Sequence, residues 1–240
     1  MKLPWRAVSP NKDMVSQTQL ALSDAAEWLG DWHPLAEQLG SADGLVTLGS
    51  VSASLRLVPV RDLASFHDFL KHYQTQILLP LELPAIQSAH DHAARHEVRE
   101  LVALDQVLAT QPMLCELAAA SRRVGRTQLR KLRPLRDERV VRRYLEAVEN
   151  GGANGWHTLV YGVTLAVYSL PLRQGLLGYA HQTTRGFIYS AARMLRLSER
   201  QCRVLFDSLC TELPAAVGGL IAQNVTVAGE TVCRPIGAAP

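Results

Sequence analysis

The sequence predicts an all-α fold, a single-domain helical bundle. Apolar residues recur at spacings of three and four along most of the chain, and this period is typical of amphipathic helices. There is no internal repeat and no alternation of strand patterns with helix patterns. The chain has 240 residues, and at about 11–12 residues for each helix it predicts roughly eight to ten helices.

The pattern divides the chain into three parts. Residues 1–18 are polar without a clear period, which predicts a flexible N-terminal arm. Residues 19–222 form the helical domain, and residues 223–240 are predicted to be a C-terminal tail. Residues 45–58 are ambiguous because their Val, Ser and Thr content favours a strand, while the spacing of their apolar residues favours a helix. We choose the helix, with one face formed by Leu48, Val51, Leu55 and Val58.

N-cap and proline signals in the sequence predict where the first helices begin. Asp62 is a plausible N-cap, and the apolar residues after it share one helical face. Pro84 suits the first turn of the next helix. A further periodic run begins at Val98 and passes through Asp105, and Pro112 opens the segment after it. The predicted face of the first helix comprises Leu63, Phe66, Phe69, Leu70, Tyr73 and Ile77.

The second half of the chain is predicted to contain the central helix. The run Asn150–Gly155 is the strongest break in the sequence. After it, Leu159–Tyr168 is apolar on nearly every face, which predicts a helix surrounded by others. Two amphipathic stripes follow, one formed by Phe187, Ala191, Met194 and Leu195 and the other by Cys202, Leu205, Phe206 and Leu209.

Composition argues against several classes of protein. Four scattered cysteines without a CxxC pair favour neither a disulfide framework nor a zinc ribbon. The N-terminus has no apolar signal region, and no uninterrupted apolar stretch has the length of a membrane span. The glycine pairs lack the spacing and the lysine of a phosphate-binding loop. We therefore expect a cytoplasmic protein that is not an enzyme and has no tightly bound cofactor.

Three histidines form a candidate metal site. His90, His92 and His96 lie close together in a predicted helix, where the i, i+4 spacing would put His92 and His96 on one side. No HExxH motif completes the site, although Glu97 follows. The favoured interpretation is a solvated, alanine-rich helix that carries histidines, and a metal-binding module is the alternative.

Residues 122–143 form a strongly basic segment that could contact an acidic protein surface or phosphates. A solvated face, whose arginine stems cover apolar surface, explains the segment equally well. Tyr144 is the only aromatic residue nearby, so the sequence disfavours base stacking and nucleic-acid binding. The residues predicted to contact a partner are Arg122, Arg123, Arg126 and Arg130.

Five short motifs follow one another along residues 83–195. The first three are the Leu83–His90 helix, the Leu101–Asp105 segment and Ser121–Arg126. The later two are His157 with Gly162, and Ala191–Arg193 followed by Leu195. In this order and spacing the motifs resemble the UreF family of urease accessory proteins, and the resemblance extends over residues 20–222.

The resemblance implies an all-helical, non-enzymatic chaperone. Such proteins join a UreD-type protein (also called UreH) and the GTPase UreG to load nickel into urease apoprotein, and they commonly dimerise. Nickel would then be cargo of the complex. The residues expected to shape the scaffold are Pro84, His157, Gly162, Ala191 and Arg193. Glycine permits close backbone approach, and histidine can satisfy a buried polar site.

The chain departs from the family pattern at both ends. His33–Pro34 and Ser41–Leu45 are the remnant of the family's N-terminal motif, and only Gln201 survives from the motif that follows the Ala191 helix. The usual tail is replaced by Thr231–Ile236. A divergent paralogue that kept the scaffold and changed its partners is therefore an alternative function.

Overall fold

The computed structural model describes residues 55–132, 139–192 and 194–230, together with Ala53. This part of the chain contains helices, turns and coil but no strand, which confirms the all-α prediction. All of these residues belong to one compact unit. The predicted arm 1–18 and the remnants at 33–34 and 41–45 lie outside the described residues.

Nine α-helices lie within the described ranges. The bounds of α1 to α9 are Leu63–Tyr73, Leu83–Ala94, Val98–Ala109, Cys115–Lys131, Arg139–Glu149, His157–Val167, Leu172–Ala192, Glu199–Cys210 and Leu213–Glu230. A π-helix, Gln74–Glu82, joins α1 to α2, and a 3-10 turn, Pro112–Leu114, precedes α4.

Helix α1 begins where the sequence predicted. The Asp62 carboxylate accepts a hydrogen bond from the Ser65 amide at 2.9 Å, and the Ser65 hydroxyl accepts one from the Asp62 amide at 3.1 Å. This reciprocal pair satisfies two amides that the helix itself leaves without partners. Phe66, Phe69 and Tyr73 of the predicted face are buried.

The π-helix between α1 and α2 was not predicted. Pro80 lies inside it, and proline has no amide hydrogen to give to an ordinary helical bond. The wider turn keeps the chain helical from α1 into α2, so Tyr73 and Glu82 meet in the core at 2.9 Å. Pro84 lies in the first turn of α2, as predicted.

Helix α6 is the centre of the bundle, as its composition predicted. All residues from His157 to Leu165 are buried. Helices α2 and α4 make the most extensive contacts with α6, and α7 makes a smaller one. Because α6 offers side chains of low polarity in every direction, it can be covered on several sides without leaving a charge in the core.

Two predicted helical stretches are wrong in part. Leu55 lies in a turn and Val58 in coil at 74% exposure, so the predicted 45–58 helix does not extend through them. Helix α7 ends at Ala192, which leaves Met194 and Leu195 in the turn beyond it. Helix α9 continues to Glu230, past residue 222 where the tail was predicted to begin. No proline interrupts residues 215–230, so the helix is free to continue.

One stretch within the described residues, Glu199–Gln223, has the length and the mean hydropathy of 1.4 expected of a membrane span. It consists of two helices, α8 and α9, with turn residues Thr211 and Glu212 between them. Length and composition alone are a weak indication, because core helices of other proteins share them.

Candidate functional site

A buried carboxylate organises the loop that leads into α6. Asp105 of α3 is fully buried and accepts hydrogen bonds from five groups. They are the Tyr144 hydroxyl at 2.7 Å, the Asn154 amide and side chain at 2.6 and 2.9 Å, the Gly155 amide at 2.9 Å and the Trp156 amide at 3.5 Å. A buried charge needs this number of donors to offset its desolvation. Asp105 therefore fixes the loop between α5 and α6.

The same loop lies against α4 at the Ser121–Arg126 motif. The His157 amide donates to the Ser121 hydroxyl at 3.2 Å, which provides a partner at the start of α6. The Arg122 guanidinium stands 5.2 Å from the centre of the Trp156 ring, and Arg126 Nε donates to the Asn154 carbonyl at 3.0 Å. Three polar residues of this motif thus hold the entry to α6.

Gly125 allows this contact. A β-carbon at Gly125 would lie 2.2 Å from the Gly155 carbonyl oxygen and 2.7 Å from the His157 nitrogen. Both are backbone atoms and cannot rotate away. Gly155 itself has φ +73°, in the left-handed region that favours glycine. We name this set, Asp105, Ser121–Arg126 and Asn154–His157, the α3–α4–α6 junction.

Gly162 allows α2 and α6 to approach closely. A β-carbon there would lie 2.4 Å from the Ile86 carbonyl oxygen, 2.9 Å from the Ala89 β-carbon and 3.0 Å from the His90 nitrogen. The backbones of the two helices therefore touch at this position. The close approach depends on the absence of a side chain at Gly162.

His157 is buried at 4% exposure in an aromatic cluster. Its ring centre lies 5.7 Å from that of Tyr179 and 6.4 Å from that of Tyr161. Nearby, Glu82 accepts from the Tyr73 hydroxyl at 2.9 Å and also bonds Tyr179. Burial raises the pKa of both tyrosines well above its ordinary value, and the Glu82 charge adds to the effect. The cluster therefore keeps its phenols protonated.

The predicted histidine pair does not share a helical face. Helix α2 ends at Ala94, and His96 follows it at φ +57°, a left-handed conformation that turns the chain away. The i, i+4 argument for His92 and His96 is therefore wrong. His92 Nδ1 lies 2.8 Å from Glu97 Oε2, and that carboxylate also pairs with Arg95 Nε at 2.9 Å. No group of three metal-ligating side chains occurs within the described ranges.

Two other predicted residues have different outcomes. Ala191 is fully buried near the end of α7, where its small side chain belongs to the core. Arg193 lies outside the described residues.

Of the predicted partner contacts, Arg122 and Arg126 already hold the junction, whereas Arg130 is exposed. Partner contact by these arginines stays a prediction.

The junction also shows what the sequence reasoning missed. Asp105 lies on the buried stripe of α3, at the i+4 position from Leu101 and three residues before Leu108. A carboxylate on an apolar stripe signals a buried polar partner. That signal could have identified Asp105 as an organising residue, although its partners, which are 39 to 51 positions away, could not be read from it.

Comparison with known protein families finds a match, which extends from helix α1 to helix α8. A family profile described as UreF matches residues 60–209, from just before α1 to the last turn of α8. A search of curated protein sequences finds no match to the chain. The matched region contains the whole α3–α4–α6 junction and the Gly162 contact. Because the profile covers well over half of the chain, the protein belongs to the UreF family of urease accessory proteins.

Proposed function

We propose that this chain is a urease accessory chaperone of the UreF type. It acts as a scaffold that couples a UreD/UreH-type protein and a UreG-type GTPase to urease apoprotein during nickel insertion. Nickel is cargo of the assembled complex and not a resident cofactor of this chain. The scaffold works in the cytoplasm as a homodimer, and it is neither an enzyme nor a nucleic-acid-binding protein.

The observation that carries the proposal is the UreF profile match over residues 60–209. The packing of the matched helices supports it. A scaffold must keep its surfaces in fixed positions, and the junction does so by joining three helices through a buried carboxylate and a glycine contact. Exposed positions on the same helices, such as Arg123 and Arg130, are then held in place for partner contact.

A second candidate is a UreF-like scaffold with changed partners. The C-terminal segment Thr231–Ile236 favours it, because this segment departs from the family pattern. The metal-module alternative has less support, since His92 is engaged with Glu97. Nickel titration of the wild type against a His92→Ala/His96→Ala variant tests it, and an unchanged affinity removes the idea.

Co-purification tests the proposal. The full chain is expressed with the UreD-type and UreG-type proteins of its own source, and the mass of the product is measured after size exclusion. A stable complex with either protein supports the maturation role. A folded chain that binds neither protein overturns the role and leaves the changed-partner scaffold.

A further inference from the structure

The positive charge of this chain is concentrated in one short segment. Residues 122–143 contain ten cationic residues and two acidic ones, a net charge of +8. The whole chain carries +3, so the remaining residues together carry −5. The positive charge of a nearly balanced sequence is therefore concentrated in one segment, and a concentration of this kind can steer an oppositely charged partner.

The described cations of this segment differ in their contacts with the rest of the fold. Arg122 and Arg126 contact the loop before α6. Five others are exposed and take part in no ion pair within the described part of the chain. These five are Arg130 and Lys131 at the end of α4, and Arg139, Arg142 and Arg143 at the start of α5. We call them the basic face.

The basic face opposes the stability of its own helix. Arg139 is followed by Arg142 and Arg143 at the i+3 and i+4 positions, where like charges repel. The three arginines also stand at the N-terminal end of α5, the positive end of the helix dipole. Asp137 and Glu138 precede α5 in the sequence and lie outside the described residues. Internal stability therefore does not explain the three arginines.

The side chains favour carboxylates over nucleobases. Four of the five cations are arginines, whose planar fork matches a carboxylate through two parallel hydrogen bonds. Binding of single-stranded nucleic acid needs exposed aromatic rings for stacking. Tyr144 of α5 and Trp156, whose ring lies under Arg122, are buried at 0% and 2% exposure.

We propose that the basic face, on the adjoining ends of α4 and α5, docks an acidic surface of a partner protein. This inference deepens the proposed function by adding α5 to the predicted contact and by naming the chemistry of the partner. Helices α4 and α5 pack against each other. The buried Tyr144 hydroxyl anchors α5 to Asp105, so the arginines of α5 are carried on a fixed support.

The test compares two charge-reversal variants of the full chain. The first is Arg139→Glu/Arg142→Glu/Arg143→Glu. The matched control reverses three exposed cations on other helices, Lys71→Glu/Arg173→Glu/Arg200→Glu. Circular dichroism and thermal unfolding establish that both variants fold. If the triple α5 variant does not fold, Arg142→Gln and Arg143→Gln replace it, because they remove charge without adding any.

The first probe is a labelled 20-residue peptide of aspartate and glutamate, with single-stranded and duplex DNA of equal length alongside, measured by fluorescence anisotropy. We expect the wild type and the control to bind the peptide, with affinity that falls as salt rises, and the α5 variant to bind at least tenfold more weakly. Equal peptide affinity for the wild type and the α5 variant overturns the inference. Tighter binding of either DNA than of the peptide also overturns it.

The second probe separates this inference from the proposed function. The same variants are tested for binding to the UreD-type and UreG-type proteins. Binding by the wild type that the α5 variant loses supports both. Binding that the α5 variant keeps overturns the docking inference and leaves the accessory role intact. Failure of the wild type to bind either protein overturns the accessory role, and the peptide result then decides the docking inference alone.

Discussion

Replacement of Gly162 by alanine tests the contact between α2 and α6. The new β-carbon would lie 2.4 Å from the Ile86 carbonyl oxygen, whereas ordinary contact begins near 3.4 Å. The two helix backbones must therefore separate by about 1 Å, and overpacking of this kind costs about 3 kcal/mol. Alanine regains about 1 kcal/mol through its higher helix propensity. We expect Gly162→Ala to lower the free energy of unfolding by about 2 kcal/mol.

Gly178 in the middle of α7 provides the matched control. A β-carbon there would meet only the Tyr161 hydroxyl, at 3.8 Å, which is an ordinary contact. Gly178→Ala should therefore gain the propensity term and raise the free energy of unfolding by about 1 kcal/mol. Replacement of glycine by alanine is thus expected to lower the free energy of unfolding at Gly162 and to raise it at Gly178. Urea unfolding followed by circular dichroism measures both, and equal stabilisation by the two substitutions would refute the backbone contact at Gly162.

The remaining predictions concern the junction, the helix cap and the buried phenols. Asp105→Ala leaves the donors of the α3–α4–α6 junction unpaired and should lower the free energy of unfolding by about 3 kcal/mol or more, measured in urea. Tyr144→Phe removes one donor and should lower it by about 1.5 kcal/mol. Equal losses would contradict the central role of Asp105 in the junction. Asp62→Ala removes the α1 cap and should cost about 1 kcal/mol, with no change expected if the cap is absent. Above pH 10 the unfolded state loses phenolic protons that the folded state keeps, so the free energy of unfolding should fall by about 1.4 kcal/mol per pH unit for each buried tyrosine. Ultraviolet titration checks this, because the four tyrosines with raised pKa should ionise only as the protein unfolds. Ionisation of these four in the folded protein would be the contrary result. The four with raised pKa are Tyr73, Tyr144, Tyr161 and Tyr179.

The helices themselves follow closely from the sequence. Local signals suffice for them, since the cap at Asp62 and the proline at Pro84 both act within one turn of the helix. The central position of α6 also follows, because an apolar helix must be surrounded. These features depend on residue type and short spacing alone.

The features that failed depend on competition between local patterns and the rest of the fold. The His92–His96 spacing is helical, yet the helix ends between them. The π-helix around Pro80 keeps the chain helical where proline usually signals a break, and Tyr73 then meets Glu82 in the core. Neither outcome is encoded within one turn of sequence.

The junction could be only half predicted. The family motif marked Ser121–Arg126 as important, and its arginines were expected to contact a partner. The structure gives Arg122 and Arg126 internal contacts with the loop before α6. Such contacts join residues about 30 positions apart, and sequence spacing contains no information about them.

Urease activation is the measurement that tests the central claim most directly. Cells that contain the complete urease system of the source, with its own UreF-type protein deleted, receive this chain or an empty vector in nickel-containing medium. We predict that the chain restores both the nickel content of purified urease and its activity. Urease that stays without nickel, although the chain is folded and expressed, would contradict the accessory role.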